Sequence, residues 1–598
     1  MMSTDIRVPA SLTERSVHAG TLGRMVLDAT RRHRGTVARF RRDGEVVEWS
    51  YEEFGLAVRE TAAGLIALGL RPGDRLALLA GTRAEWTLVD CAALAAGAVI
   101  VPVYQTSSPE ECGYVLSHSE ARFLVVEDAA QLAKVEEVRG SCPALEHVIA
   151  IEPTPGVTSL SAVRAPADDV ALDAIQRDVG AEVVATMVYT SGTTGPPKGC
   201  MLTHANLLST MAMYEVRVTA TEPVVLFMFL PLAHALARVG QLMTLDVGGT
   251  LAYSGGDPAR LLDDIAEASP THLPAVPRLF EKIHTRGVGS VEDAGGPKHR
   301  LFGWAIAVGG RMRAAERAGG PSALLRAQHA VADRLVLSKV RALFGERLRL
   351  AVTGAAPISL DVLAFFDACG VLLLEGYGMT ETCAAATLNT HEAFRFGTVG
   401  RPLPGTDVRI APDGEVLLRG PNVFAGYHRD EDATRGIFAD GWLATGDLGA
   451  IDDDGFLRIT GRKKDLIITS SGKNVAPSTI EAALRESRWI SEAVVFGDAR
   501  SYLVALVTLD PEEAVALADD LGLEHGIAAL SGDPLVHDRL EEDVKAANAR
   551  FSRIEQVKPF AILDHDLTVA HGELTPTLKV KRAVVYDRYH DVFAKLYA

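Results

Sequence analysis

Positive charge is scarce in this chain. Sixty Lys and Arg face 77 Asp and Glu, a net charge of −17. A nucleic-acid partner calls for a basic surface, so none is expected. A local basic patch for a phosphate-bearing ligand remains compatible with that balance. Cysteine is sparse too. Cys91, Cys112, Cys142, Cys200, Cys369 and Cys383 show no C-x-x-C spacing, which suggests neither a zinc site nor a disulfide framework. A reduced cytoplasmic compartment fits. Long apolar runs are missing as well. The most apolar stretch, LVDCAALAAGAVIVPVY over 88–104, is broken by Asp90, Gly97 and Pro102. It falls short of the roughly 20 apolar residues that span a bilayer. It reads as a buried helix over 88–96 running into a buried strand over 98–103. The opening MMSTDIRVPASLTER lacks the apolar core of a signal peptide. The expected location is cytoplasmic, and peripheral contact with the inner face of a membrane is compatible with it.

What is present is length and alternation. At 598 residues the chain is too long for one core and suggests three or four domain-sized units. Apolar β-rich runs alternate with helical patterns, the mark of an α/β fold. Strands are expected over 75–79, 123–126, 183–189, 348–352 and 371–374. Several end in Gly-rich turns. Ligands in open α/β sheets collect at the carboxyl ends of strands. The loops 190–198, 354–357 and 376–381 all fall there.

Past Gly400 the texture changes to short strands over 408–410, 415–418 and 456–459, a small β-subdomain. Ser478-Thr479-Ile480-Glu481 reads as a capping box opening a helix. Strands over 493–496 and 503–509 are expected to pair. A boundary at about 460–465 divides the chain into 1–460 and 461–598. The Gly-, Ala- and charge-rich segment 287–320 reads as an insertion loop.

Four stretches carry the chemistry. The first is DGWLATGDLGAIDDDGFLRITGRKK, residues 440–464. Its glycines let the backbone turn sharply. Among its charges, Asp440, Asp447, Arg462, Lys463 and Lys464, an Asp can accept from two neighbouring hydroxyls and an Arg can donate a fork of hydrogen bonds, as a ribose site requires. A set of Gly/Asp-rich hairpin turns is the alternative. The second is Thr190-Ser191-Gly192-Thr193-Thr194-Gly195-Pro196-Pro197-Lys198-Gly199. Freed backbone N–H groups and hydroxyls can wrap a triphosphate, with Lys198 as a point charge. It is not a Walker A loop. A flexible linker is the alternative. The third is Glu375-Gly376-Tyr377-Gly378-Met379-Thr380-Glu381, where an isolated Glu after a Gly-rich loop reads as a helix N-terminal charge. The fourth is Gly572-Glu573-Leu574-Thr575-Pro576-Thr577-Leu578-Lys579-Val580-Lys581-Arg582, on its own residues a solvated basic strand.

These motifs, in this order, resemble the AMP-forming acyl-CoA synthetases of the adenylate-forming superfamily. Residues 440–464 resemble the long-chain fatty acid:CoA ligase signature in particular, and the likeness runs from about 45 to 582. It implies a large N-terminal adenylate-forming domain, layered α/β subdomains plus the small β-subdomain, and a small mobile α+β C-terminal domain.

It also implies roles. Thr190–Lys198 would hold the β,γ-phosphates of ATP. Tyr377 would lie against adenine, with the Gly354-Ala355-Ala356-Pro357 loop on the other side. Thr380 would touch the α-phosphate and Glu381 would hold Mg²⁺. His234, in Leu230-Pro231-Leu232-Ala233-His234, would donate to the acyl carboxylate or pack beside it. Arg238 fits the long-chain pattern. Asp447 and Arg462 would hold the ribose, Lys464 would be the hinge, and Ser471-Gly472-Lys473 would line the coenzyme A channel. Lys579 would be the catalytic lysine, with Lys581 competing because Leu578 stands where many relatives have Gly. The implied partners are a fatty acid, ATP and coenzyme A. An acyl-AMP ligase serving a carrier protein, a luciferase-type oxidase and a non-catalytic fatty-acid-binding scaffold are the rival readings.

Overall fold

The computed structural model describes residues 5–6, 20–190, 196–217, 223–575 and 578–597. Two large sheets form the bulk of the protein. In the eight-stranded sheet, Arg75–Leu79, Val99–Val103, Phe123–Val126, His147–Ala150 and Val184–Thr190 run parallel. All but the last are almost wholly apolar, as strands covered on both faces must be. The run over 88–104 resolves as expected, into the helix Ala84–Ala95 and the strand Val99–Val103. Asp90, which interrupts it, is fully buried and receives Arg238 through Nη2 at 2.5 Å and Nε at 3.2 Å. Gln241 adds a third bond at 2.9 Å. Removing one partner of such a buried pair costs about 3–5 kcal/mol.

The second sheet has nine strands. Its parallel centre includes His272–Ala275, Leu350–Thr353 and Leu373–Tyr377. A third sheet, built on Asp407–Ile410, Glu415–Arg419, Trp442–Ile451 and Leu457–Arg462, is the small β-subdomain. After it, Ile490–Phe496 and Leu503–Leu509 pair antiparallel, and Val557–Ile562 joins in parallel. Helices Pro477–Leu484 and Pro534–Asn548 pack on this three-stranded sheet.

The apolar clusters divide sharply. Three draw on residues up to Ile459 and two on residues from Ile467 onward. The contacts that cross are polar and include Arg278–Asp510 at 3.3 Å, Arg278 donating to Ser491 Oγ at 3.2 Å, Lys282–Glu512 at 2.7 Å and Arg550–Asp361 at 3.0 Å. The last two are exposed pairs, which contribute only about 0–1 kcal/mol each.

Two expectations are corrected. Residues 287–320 are not a loop but the end of one helix, Pro277–Ala294, and the whole of the next, Gly296–Arg317. One of the glycines that disguised them has a packing reason. A Cβ on Gly309 would lie 2.2 Å from the Ala368 carbonyl oxygen, so the glycine admits the helix Leu360–Cys369. Nor is Ser478 a cap. Pro477 occupies the first turn, Ala476 is the N-cap without a side-chain bond, and Glu481 faces inward. It accepts from the Val495 N–H at 2.8 Å and from Arg582 at 2.5 Å.

Candidate active site

Parallel register sets the loops 354–357 and 376–381 side by side. Thr353 pairs with Glu375, so the chain after each strand emerges at the same sheet end. The approach is close enough that a Cβ on Gly354 would lie 2.8 Å from the Gly376 carbonyl oxygen. Ala355 then sits at φ +71°, and Ala356 beside it is exposed. The turn after Tyr377 is tighter still. A Cβ on Gly378 would lie 1.7 Å from the Ala384 oxygen, while Cys383 and Ala384 both hold positive φ. Two left-handed non-glycine residues in succession mark backbone held against its preference, which clusters at functional sites. Met379, Thr380 and Glu381 are carried on this turn.

Each polar side chain there is held by a distant segment. The Tyr377 hydroxyl donates to Asp447 Oδ2 at 2.7 Å. Arg462 Nε donates to Asp447 Oδ1 at 3.1 Å, across the antiparallel pairing of Asp447 with Arg462. Each carboxylate oxygen keeps a lone pair for a further hydroxyl. Burial, then the neighbouring Asp447 charge, holds the Tyr377 phenol protonated well past its usual range. Glu381 is buried, and its Oε1 accepts from the Tyr427 hydroxyl at 2.8 Å. No cation lies in ion-pairing distance of it among the described residues. A buried carboxylate without a cationic side chain is the donor that a hard metal ion takes. Glu375 bonds the Gly397 N–H at 3.2 Å, and burial pushes its carboxyl up to about 7.

Tyr427 was not anticipated. It arrives through the pairing of Cys200 with Tyr427, which also places the Lys198 ammonium 5.0 Å from the Tyr427 ring. Lys198 lies 3.8 Å from Asp430. The sequence did hold a signal, the polar run Gly426-Tyr427-His428-Arg429-Asp430 beside an apolar stretch. Thr190 and Lys198 pair across a hairpin, so a strand, Lys198–Thr203, stands between the loop and the helix His204–Arg217. Ser191, Gly192, Thr193, Thr194 and Gly195 lie outside the described residues.

His234 caps the helix Ala235–Asp246. Its Nδ1 accepts from the Leu236 N–H at 3.3 Å, which leaves the ring proton on Nε2. Burial, with Lys579 adding to it, lowers its pKa to about 4. The ring is a neutral donor at physiological pH. Arg238, one turn on, is spent on Asp90.

Lys579 reaches the same crevice from the C-terminal sequence. Its loop is closed by the bridge Leu574–Val580, by Thr575 N–H to the Lys579 carbonyl at 2.8 Å, and by Lys579 N–H to Thr575 Oγ1 at 3.0 Å. Leu578 takes the left-handed conformation at φ +59°. The Lys579 side chain is solvent-accessible yet crowded by protein. That desolvation lowers its pKa, Arg462 lowers it further, and Asp447 and Glu381 act in the opposite sense. Lys581 points elsewhere, toward Glu111 at 3.8 Å. Lys464 is exposed in the turn closed by Asp465 N–H to the Arg462 carbonyl at 3.0 Å. Ser471, Gly472 and Lys473 form an exposed hairpin turn with Gly472 at φ +77°, and Lys473 bonds Ser552 at 3.2 Å. No described contact joins that turn to the crevice.

Two family models match the chain. The AMP-binding enzyme model covers residues 27–428 and the AMP-binding enzyme C-terminal domain model covers 464–598. The chain is 41% identical over 566 residues to the long-chain-fatty-acid–CoA ligase FadD15 of Mycobacterium bovis, covering 93% of each. Its fold is similar to the adenylation domain of a carboxylate reductase from Mycobacterium chelonae, with a TM-score of 0.77, 23% identity, and 98% and 93% of the two chains covered. It is also similar to o-succinylbenzoate coenzyme A synthetase from Bacillus subtilis, solved with ATP and magnesium ion. The TM-score there is 0.66 at 21% identity, with 94% of this chain and 98% of that one covered.

Proposed function

The chain belongs to the AMP-binding enzyme family, and from that premise we propose how it works as a long-chain fatty acid:CoA ligase. The acyl carboxylate attacks the α-phosphorus of ATP in line. A new P–O bond forms, the bond to the β-phosphate breaks, and pyrophosphate leaves. The adenylate then meets coenzyme A. Its thiol sulfur attacks the acyl carbon, the thiol proton goes to solvent, and AMP departs.

The residues divide this work. Thr190–Lys198 grips the β,γ-phosphates. Tyr377 and the 354–357 loop flank adenine, while Asp447 and Arg462 hold the ribose hydroxyls. Thr380 touches the α-phosphate. His234, neutral, donates from Nε2 to the acyl carboxylate. Lys579 balances charge on the α-phosphate and attacking oxygen as they meet. Glu381 is the residue that would hold Mg²⁺, whose chemistry is to offset phosphate charge. Residues 1–460 and 461–598 are the two working units. After adenylation the second turns about Lys464, withdraws Lys579 and presents Ser471-Gly472-Lys473 to the pantetheine arm. A hinge absorbs such motion without touching substrate.

The observation that most supports this scheme is convergence. Glu381, Asp447 and Arg462 come from three separate segments, and Lys579 from a fourth feels all of them. An acyl-AMP ligase that stops at the adenylate would use the same first half. A non-catalytic scaffold would have no use for Glu381 and Lys579 together. Peripheral membrane contact would suit an acid that partitions into lipid.

The test is thioester formation from a panel of acids with ATP and coenzyme A, followed beside pyrophosphate release. An apolar acyl site adds about 0.8 kcal/mol per buried CH₂, so palmitate should exceed acetate and benzoate in kcat/KM. Pyrophosphate release without thioester would favour the acyl-AMP ligase. Preference for acetate or benzoate would overturn the long-chain reading.

A further inference from the structure

One stretch of this acidic chain carries a large excess of positive charge. Residues 296–347 hold ten Lys and Arg against three Asp and Glu. They fold as the helix Gly296–Arg317 and an antiparallel return, Ala323–Ala332, Asp333–Leu337 and Ser338–Ala342. The inner side of the return buries Ala332 and Leu337 in the core, with Phe344 just beyond. The outer side should be polar in an ordinary surface helix. Instead it exposes Leu324 at 69%, Val331 at 51% and Leu335 at 42%, with Leu343 at 38% just beyond its end. Steps of seven, four and eight residues put them on one stripe. The π-helical turn Asp333–Leu337 changes the winding within it.

Cations border that stripe. Arg334 and Lys339 are exposed and enter no ion pair among the described residues. The antiparallel partner begins with Lys298 and Arg300, also exposed and without an ion pair among the described residues, beside Leu301 at 37% exposure. Of the other basic residues, Arg311, Arg326 and Arg347 are also exposed and enter no ion pair among the described residues. Arg313, Arg317 and Arg341 are neutralised by Glu316, Asp367 and Asp333. Four of the seven cations left over thus lie beside the leucines.

We propose that this helical face docks on an anionic lipid bilayer. Leucines between cations match an interface whose headgroups are negative and whose next layer is apolar. An acidic protein would satisfy the cations and leave the leucine stripe in water. The acidity of the rest of the chain would turn that remainder away from the same surface, so charge alone orients the molecule. The use of such docking, drawing a fatty acid from the membrane, rests on the proposed substrate. The docking itself does not.

The experiment is co-sedimentation of the full chain with phosphatidylglycerol vesicles and with phosphatidylcholine vesicles, without ATP or coenzyme A. Failure of ligase activity therefore cannot mimic failure of docking. The wild type should bind the anionic vesicles and not the neutral ones. Arg334→Glu with Lys339→Glu should weaken binding about tenfold or more. Leu324→Ser with Leu335→Ser should weaken it while leaving activity on soluble acids intact, which shows the fold is preserved. Equal binding by both variants and wild type would overturn the proposal. So would absence of vesicle binding together with a dimer that the leucine variant loses, which would assign the face to a second copy of the chain.

Discussion

The turn 377–384 and the loop 574–580 bring their residues to one crevice, yet they are built in opposite ways. The first is pinned. Gly378 is pressed on the Ala384 oxygen, Tyr377 is bonded to Asp447, and Glu381 to Tyr427. The second is a small self-contained loop, tied by Thr575 and the Leu574–Val580 bridge, with Leu578 left 64% exposed. It belongs to a unit whose described contacts with the rest are mostly ion pairs. On the proposed scheme, the groups that must stay put for both half-reactions are packed in, and the group needed for only one is carried on a part that surface pairs hold weakly.

The largest expected effect comes from the loosely held side. Lys579→Ala should slow acyl-adenylate formation by about 10²–10³-fold, as loss of one charge-stabilising donor does. The same variant should still convert pre-made acyl-adenylate and coenzyme A to thioester. Lys581→Ala is the control and should be mild, since Lys581 faces Glu111. Pyrophosphate release measures the first step. A dead Lys581 variant beside a normal Lys579 variant would break the comparison by moving the role two residues along.

The pinned side gives a smaller, pH-dependent effect. Burial raises the Glu375 carboxyl from 4.5 to about 7. A raised folded-state pKa means its contribution to stability is present below about pH 4.5 and lost as pH rises through 7. Glu375→Gln removes that titration. Relative to wild type, the variant should gain about 2–3 kcal/mol between pH 5 and pH 8. Thermal melts at the two values measure it. A difference that does not change with pH would show that Glu375 is better solvated than the packing implies.

Much of this was legible in the sequence. Strand positions at 75–79 and 123–126 follow from short apolar runs and coincide with those observed. The motif loops fell at strand ends for the same reason. The failures have physical causes. Local spacing cannot show that Pro477 already starts the helix that Ser478 was expected to cap. Nor can it show that Gly309 serves a close helix contact rather than a loop. Tyr427 escaped because its place beside Glu381 depends on a strand pairing across more than 200 residues. Pairings among recognised residues, Tyr377 with Asp447 for instance, likewise exist only once the sheets are assembled.

The central claim is that one crevice serves two half-reactions because the unit carrying Lys579 turns about Lys464. Lys464→Pro fixes φ at that turn. Single-turnover kinetics on this variant should show acyl-adenylate forming at close to the wild-type rate, which also shows the fold is intact. Transfer to coenzyme A should then fall by about a hundredfold. Thioester formation at the wild-type rate with the proline in place would contradict the account.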